Sequence, residues 1–232
     1  MASTTATRGE EVYQRMRSDI VAGEFRPGSK LRFAMLTGRY ESSASVIREG
    51  LARLVEQGLV LSEPQQGYRV APVSIRDLKD LTLARCAVES QALRLSLEHG
   101  DLAWESSLVA AIHALERTPV GSRPSSGDPW PVVHRRFHEI LLEGCPSQRL
   151  INTALGLRDA GELYRRWSVP ADDNGNRDLN QEHRAIADAA INRDAESACS
   201  LLEEHLNLTA RLLLERGLQE GFLEDSELIE SA

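Results

Sequence analysis

Four of the six histidines stand where their imidazoles could meet. His134 and His138 are four residues apart in a stretch of helical periodicity, so both side chains project from one helix face. His183 and His205 fall on two later stretches among apolar neighbours, Ile186 and Ala187 beside the first and Leu201, Leu202 and Leu206 around the second. Helices packed in a bundle can bring four such rings to one point. Four nitrogen donors suit zinc, or another borderline divalent ion such as nickel. The spacing also fits histidines that merely pack in a core or face solvent, because an HxxxH pair arises readily by chance. Spacing alone leaves both readings open. His99 and His113 lie outside the pattern and read as surface residues.

Such a cluster could serve a metal-dependent enzyme, and Glu139, Glu182 and Glu204 each adjoin one of these histidines as a candidate general base. Adjacent residues on a helix, however, point about 100° apart, which aims these carboxylates away from the ligand face. Four protein ligands would also close a tetrahedral site to substrate. No Ser/His/Asp set, glycine-rich phosphate loop or cysteine signature is present elsewhere. The three cysteines, Cys86, Cys145 and Cys199, are odd in number and far apart, as expected of reduced thiols rather than of a disulfide framework. The expectation is a binding protein, with a metal-dependent enzyme as the alternative and a plain protein-interaction bundle as a third reading.

The elements that must position these histidines occupy the second part of the 232-residue chain. From Ser74 onward the apolar residues recur with helical period, and helices are predicted over Ser74–Glu98, Leu102–Arg117, Trp130–Glu143, Gln148–Trp167, Arg177–Asn192 and Ala195–Arg216. A Pro/Gly/Ser-rich break over Thr118–Pro131 and a second loop over Pro170–Asn176 separate them, and an acidic, frayed tail is expected from about residue 220. This part reads as an all-helical bundle, a domain over 74–232.

The first part reads differently. Helical spacing over Glu10–Ala22 ends at Gly23 and Pro27-Gly28. A short segment, Phe33–Tyr40, precedes a longer helix over Ser43–Gln57 with Val46, Ile47, Leu51, Leu54 and Val55 on its apolar face. The period then changes to short extended runs, Leu59-Val60-Leu61 and Tyr68-Arg69-Val70, around Glu63 to Gly67, which reads as a small hairpin. Three helices and a hairpin describe a winged helix-turn-helix over residues 1–73, although a small helical domain with an incidental hairpin shows the same order. Met1–Glu10 reads as a frayed tail without the apolar core of a signal sequence. No apolar run approaches the roughly 20 residues of a membrane helix, so a cytoplasmic protein with no membrane partner is expected.

Charge follows the same division. The chain carries a net charge of -8, yet residues 1–75 hold 10 Lys+Arg against 8 Asp+Glu, a net of +2, which leaves -10 on the remainder. A mildly basic head on an acidic body suits a DNA reader joined to a module that does not touch DNA. In a helix-turn-helix the second helix enters the major groove N-terminus first. Here that places Ser43, Ser45 and Arg48 toward DNA, with Arg32, Arg39 and Arg53 adding charge nearby and the wing tip, Gln65 to Arg69 with Gly67 and Tyr68, reaching backbone or minor groove.

These residues carry a resemblance. Pro27-Gly28-Ser29-Lys30-Leu31, Arg48-Glu49-Gly50-Leu51-Ala52-Arg53-Leu54, Gly58-Leu59-Val60 and Gly67-Tyr68-Arg69-Val70 stand at the spacings of the GntR family of regulators. The resemblance implies a winged helix-turn-helix in which Arg48 and the wing around Gly67 contact DNA. Two departures stand out: Ala44 follows Ser43 where the family often has arginine, and Gly50 replaces the usual alanine, a change that costs a helix interior roughly 1 kcal/mol.

The second part resembles the FadR-type effector domain of that family, the FCD domain, in Ala84-Arg85 with Glu89, in His134-Arg135-Arg136-Phe137-His138, in Gln181-Glu182-His183-Arg184-Ala185-Ile186, and in Arg193-Asp194-Ala195 with His205-Leu206. The resemblance implies a divalent metal held by His134, His138, His183 and His205, with His134 standing where the family usually has aspartate, and a small carboxylate effector beside it. It also implies that Arg85 pairs with the effector carboxylate, against the alternative of an ion pair with Glu89 four residues on. Arg165, with Arg166, is a second candidate cation. The whole then reads as a mainly α protein: a homodimeric repressor of double-stranded operator DNA, two-fold like its half-sites, that responds to a metal-linked effector.

Overall fold

The computed structural model describes residues 7–120, 129–168 and 177–219, of which 166–168 are described by backbone alone. The first helix, α1 (Arg8–Val21), starts inside the stretch read as a frayed tail, because the Thr7 hydroxyl accepts the Glu10 amide at 3.3 Å and caps it. A two-residue strand β1 (Lys30–Leu31), α2 (Phe33–Tyr40), α3 (Ala44–Glu56) and strands β2 (Val60–Glu63) and β3 (Gly67–Val70) follow. The strands form one antiparallel sheet in the order β1-β3-β2. β1 was not foreseen, since two residues carry no periodicity; it pairs Lys30 with Arg69 and Leu31 with Tyr68.

One core joins these elements: Val12, Met16 and Ile20 of α1, Leu36 and Tyr40 of α2, Ile47, Leu51 and Leu54 of α3, and Val60 and Val70 of the sheet. Gly50 belongs to it. A Cβ at this position would lie 3.2 Å from the Met16 sulfur, so glycine lets α1 and α3 approach closely. At the wing tip Gly67 adopts φ +88°, a backbone conformation that side-chain-bearing residues rarely take.

Six further helices make the bundle among the described residues: α4 (Ile75–His99), α5 (Leu102–Arg117), α6 (Trp130–Glu143), α7 (Gln148–Ser168), α8 (Leu179–Ile191) and α9 (Ala195–Gln219). Their starts follow local chemistry. Ser74 caps α4, Asp101 caps α5 and Asp178 caps α8, each side chain accepting an amide three residues on. The cap at Asp178 corrects the expected start of α8 at Arg177, which stays outside the helix and turns its side chain elsewhere. The main bundle core runs through Leu93, Leu108, Ile112, Phe137, Leu141, Ile186 and Leu202.

Helix α7 belongs to both parts. Its Leu163 is buried in the core of the N-terminal elements, and the adjacent Tyr164 packs with Leu78, Leu81, Ala210 and Leu213 of the bundle. The Tyr164 hydroxyl accepts the Ser74 amide at 3.1 Å and donates to Asp77 at 2.5 Å, fastening α7 to the start of α4. Most of the two expected breaks and the acidic tail lie outside the described residues. No described helix is long and apolar enough to cross a membrane.

Candidate metal centre and nucleic-acid interface

The amphipathic faces of α6, α8 and α9 turn His134, His138, His183 and His205 into the bundle core, where all four are buried. One ring nitrogen from each lies within 4.8 Å of the other three. His138 Nε2 stands 3.2 Å from His134 Nε2 and 3.3 Å from His183 Nε2. Nitrogens bound at 2.0–2.1 Å to a tetrahedral ion sit about 3.3 Å apart, so His138 already stands at ligand spacing from both His134 and His183. An Nε2 atom holds at most one proton and cannot donate to both neighbours, whereas a shared cation satisfies all three.

Two of the rings are oriented from behind. His183 Nδ1 donates to the Leu179 carbonyl at 2.6 Å, which leaves its Nε2 lone pair free. His205 Nδ1 stands 2.8 Å from the Glu182 carboxylate, which fixes the same tautomer. Glu182 is held in turn by two Arg177 nitrogens at 2.6 Å, and Arg177 also reaches the His205 carbonyl and the Thr209 hydroxyl. That side chain is free to do this because α8 begins only at Leu179. The Nδ1 atoms of His134 and His138 are buried without a hydrogen-bond partner among the described residues.

Electrostatics keep the rings neutral, the form that ligates. Burial is the largest cause, lowering the pKa of His134 and His138 far below the ordinary value, that of His183 to about 3, and that of His205. The Arg158 guanidinium works in the same direction on all four. At Glu182, burial opposes the charge, but Arg177 and His205 prevail and bring its pKa down to about 2. The donor set, its spacing and its neutrality fit a divalent metal.

Beside the histidines lies a cationic cluster. Glu89 on α4, 1% exposed, is bridged by Arg85 Nε at 2.7 Å and Arg158 at 2.8 Å. Burial raises the Glu89 pKa, but the two arginines outweigh it and the net shift is downward. Gly161 makes room, since a Cβ there would meet the Arg85 guanidinium at 2.9 Å. Arg165 bonds Glu162 at 2.7 Å and lies 4.9 Å from the Trp130 indole, which stacks on His134 at 4.4 Å. The structure thus draws Arg85 in the Glu89 ion pair. Arg158 and Arg177 escaped the sequence reading; each is one arginine among 27 basic residues, and only the tertiary fold shows that Arg158 is buried and that Arg177 clamps Glu182. The glutamates weighed as bases have other partners: Glu139 bonds Arg135, Glu204 meets Ser200, and Glu182 orients His205.

In the N-terminal elements, Ser43 at the start of α3 and Ser45 and Arg48 on it are exposed. Ser43 caps the helix by accepting the Val46 amide at 3.5 Å, and its hydroxyl is 2.9 Å from that of Ser45. The Arg48 guanidinium lies 5.4 Å from the Phe33 ring, which meets Tyr68 of the wing edge-on at 5.9 Å. Helices α3 and α2 and the β2–β3 hairpin therefore present one continuous surface, with Arg32 and Gly67 exposed beside it. Arg39 and Arg53 do not join it as free charges. Arg39 pairs with Asp19 and Glu24, and Arg53 pairs with Glu10 while stacking on Tyr13.

Comparison with known proteins matches residues 8–70 to the model of bacterial regulatory proteins of the gntR family and residues 80–208 to that of the FCD domain. An uncharacterized HTH-type transcriptional regulator, BphR of Paraburkholderia xenovorans, is 36% identical over 216 residues, covering 90% of this chain and 86% of that protein. The HTH-type transcriptional repressor GlaR of Escherichia coli is 32% identical over 199 residues, covering 84% and 90%. Among solved structures, E. coli McbR/YncC superposes with a TM-score of 0.77 at 18% identity over 90% of this chain and 98% of its own, sharing the fold. These relatives and domains are those of transcription regulators, not of enzymes.

Proposed function

Because the chain belongs to the GntR family of DNA-binding transcription regulators and carries its FCD domain, we propose that it is a cytoplasmic, homodimeric repressor whose operator affinity is set by a small carboxylate bound beside a zinc ion. The observation that carries this reading is the convergence of four buried, neutral imidazoles within 4.8 Å. His134, His138, His183 and His205 would hold the metal, whose positive charge would supply an anchor for the effector's carboxylate. Arg85, Arg158 and Arg165 supply guanidinium donors for the same anion. In the N-terminal elements Arg32, Ser43, Ser45, Arg48, Gly67 and Tyr68 form the operator-facing surface, and two heads related by a two-fold axis read two half-sites. The repressor sense is supported by the similarity to GlaR, a transcriptional repressor.

An effector regulates only through its differential affinity for two placements of the heads. The deciding experiment is a thermal-shift screen of the purified chain against small mono- and dicarboxylates, before and after chelation and with zinc added back, alongside duplex binding at several salt concentrations. A carboxylate that raises Tm only in the zinc-loaded protein, together with duplex affinity that falls steeply with salt, supports the reading. Stabilisation indifferent to chelation removes the metal from sensing, and salt-independent binding removes the operator surface.

A further inference from the structure

We infer that Asp159 is the positioning residue that couples the histidine cavity to the DNA-binding head; this rests on the regulatory reading above. Asp159 sits on α7 and is 2% exposed, yet it has two charged partners from two parts of the molecule. One oxygen accepts from Arg17 of α1, with Arg17 Nε at 2.7 Å, and the other accepts from Arg135 of α6. Arg135 immediately follows His134, and its Nε bonds Glu139 at 2.7 Å.

The neighbours of Asp159 on α7 make the connection physical. Arg158 faces inward to Glu89, and its charge bears on all four histidines. Leu163, one turn after Asp159, is buried in the core of the N-terminal elements. A helix is stiff over one turn, so a rotation or shift that repositions Arg158 also moves Asp159 and Leu163. A second route runs along α6, where any rotation that seats His134 swings Arg135 against the same carboxylate. Both routes end on Arg17. A cleft of about 460 Å³ opens beside this contact, lined by Tyr13, Gln57, Arg17, Arg135, Glu139 and Asp159 among others, and gives the head room to move. A buried carboxylate between two arginines has defined geometry, because abandoning either partner leaves the buried Asp159 carboxylate short of a charge partner.

The test follows amide exchange by mass spectrometry in the full-length chain, zinc-loaded and chelated, in peptides from α1 and, as a control, α5. Zinc is expected to change α1 exchange several-fold in the native chain. Asp159→Asn is expected to take up the same zinc while its α1 exchange becomes indifferent to it, with α5 unaltered and Asp159→Glu partly restoring the response. An Asp159→Asn chain that keeps the zinc-dependent change overturns the inference, as does a native chain that binds zinc with no change in α1. If the native chain binds no zinc, the metal reading fails by itself. The Asp159 contact is then judged by urea unfolding of Arg17→Gln, Asp159→Asn and the double variant: a several-fold non-additivity in the unfolding constant supports it, and additive effects refute it.

Discussion

His205 is held in place by Glu182, whose carboxylate lies 2.8 Å from the ring's Nδ1 and is itself clamped by Arg177. A carboxylate behind a ligating histidine fixes the tautomer and raises the basicity of the other nitrogen. Glu182→Gln keeps the shape and removes the charge, so zinc affinity should fall about 10- to 100-fold with the fold intact. Competition against a chromogenic chelator measures it. Affinity equal to that of the native chain would show that His205 needs no support or is not a ligand.

Arg48 tests the operator-facing surface. Its side chain is exposed and lies over the Phe33 face at 5.4 Å, a contact worth under about 1 kcal/mol at an exposed site. Arg48→Ala should therefore leave Tm nearly unchanged. If Arg48 meets a phosphate, binding weakens alike on all duplexes and the salt slope drops by about 0.9. If it meets a base edge, the loss is about 1–3 kcal/mol and confined to the preferred site. Anisotropy titrations on specific and scrambled duplexes separate the two, and unaltered binding on both would take Arg48 out of the interface.

Much of this architecture was legible in the chain because its signals are local. Ser43, Ser74 and Asp101 announce helix starts by side-chain chemistry, and the apolar spacing within α5 and α6 places both helices at their observed limits. The four histidines were legible as a set because two share a helix face and the others sit on apolar faces that a bundle must bury. What escaped notice depends on tertiary contact. β1 exists only because Arg69 and Tyr68 pair with it. The inward aim of Arg158 is set by α7 packing on α4, and the diversion of Arg39 and Arg53 into ion pairs is set by α1. Arginines carry no local mark that separates a groove-facing charge from one already spent on a glutamate.

Leu163 provides a packing test of the seam between the two parts. It is a bundle residue by sequence position, yet its side chain is buried with Tyr13, Met16 and Leu54. Leu163→Ala removes three heavy atoms from a closed contact, and such truncations cost about 2–5 kcal/mol depending on how far the site collapses. The expected signature in urea unfolding is early loss of the N-terminal elements while the bundle persists, since the bundle core runs elsewhere. A single unchanged transition would mean that the N-terminal elements do not depend on α7.

Glu89 bears on how an external carboxylate could bind at all. Its own carboxylate already occupies Arg85 and Arg158, so an anionic effector must share those guanidinium groups or displace Glu89 from them. Glu89→Gln keeps the side chain's size and one carbonyl acceptor while freeing a full positive charge beside the histidines. Binding of small carboxylates to the zinc-loaded chain should then tighten by about tenfold or more, which corresponds to ~1.4 kcal/mol. Arg85→Ala should do the reverse, weakening the carboxylate response while leaving duplex affinity without effector as it was. Isothermal titration of both variants reads the two effects as opposite displacements of Kd. If Glu89→Gln leaves Kd unchanged while Arg85→Ala still weakens binding, the effector uses the Arg85 nitrogens that Glu89 does not, and no displacement is needed. If neither variant alters Kd, the anion is held by the metal and Arg165 alone, and the Arg85–Glu89–Arg158 bridge serves only to tie α4 to α7.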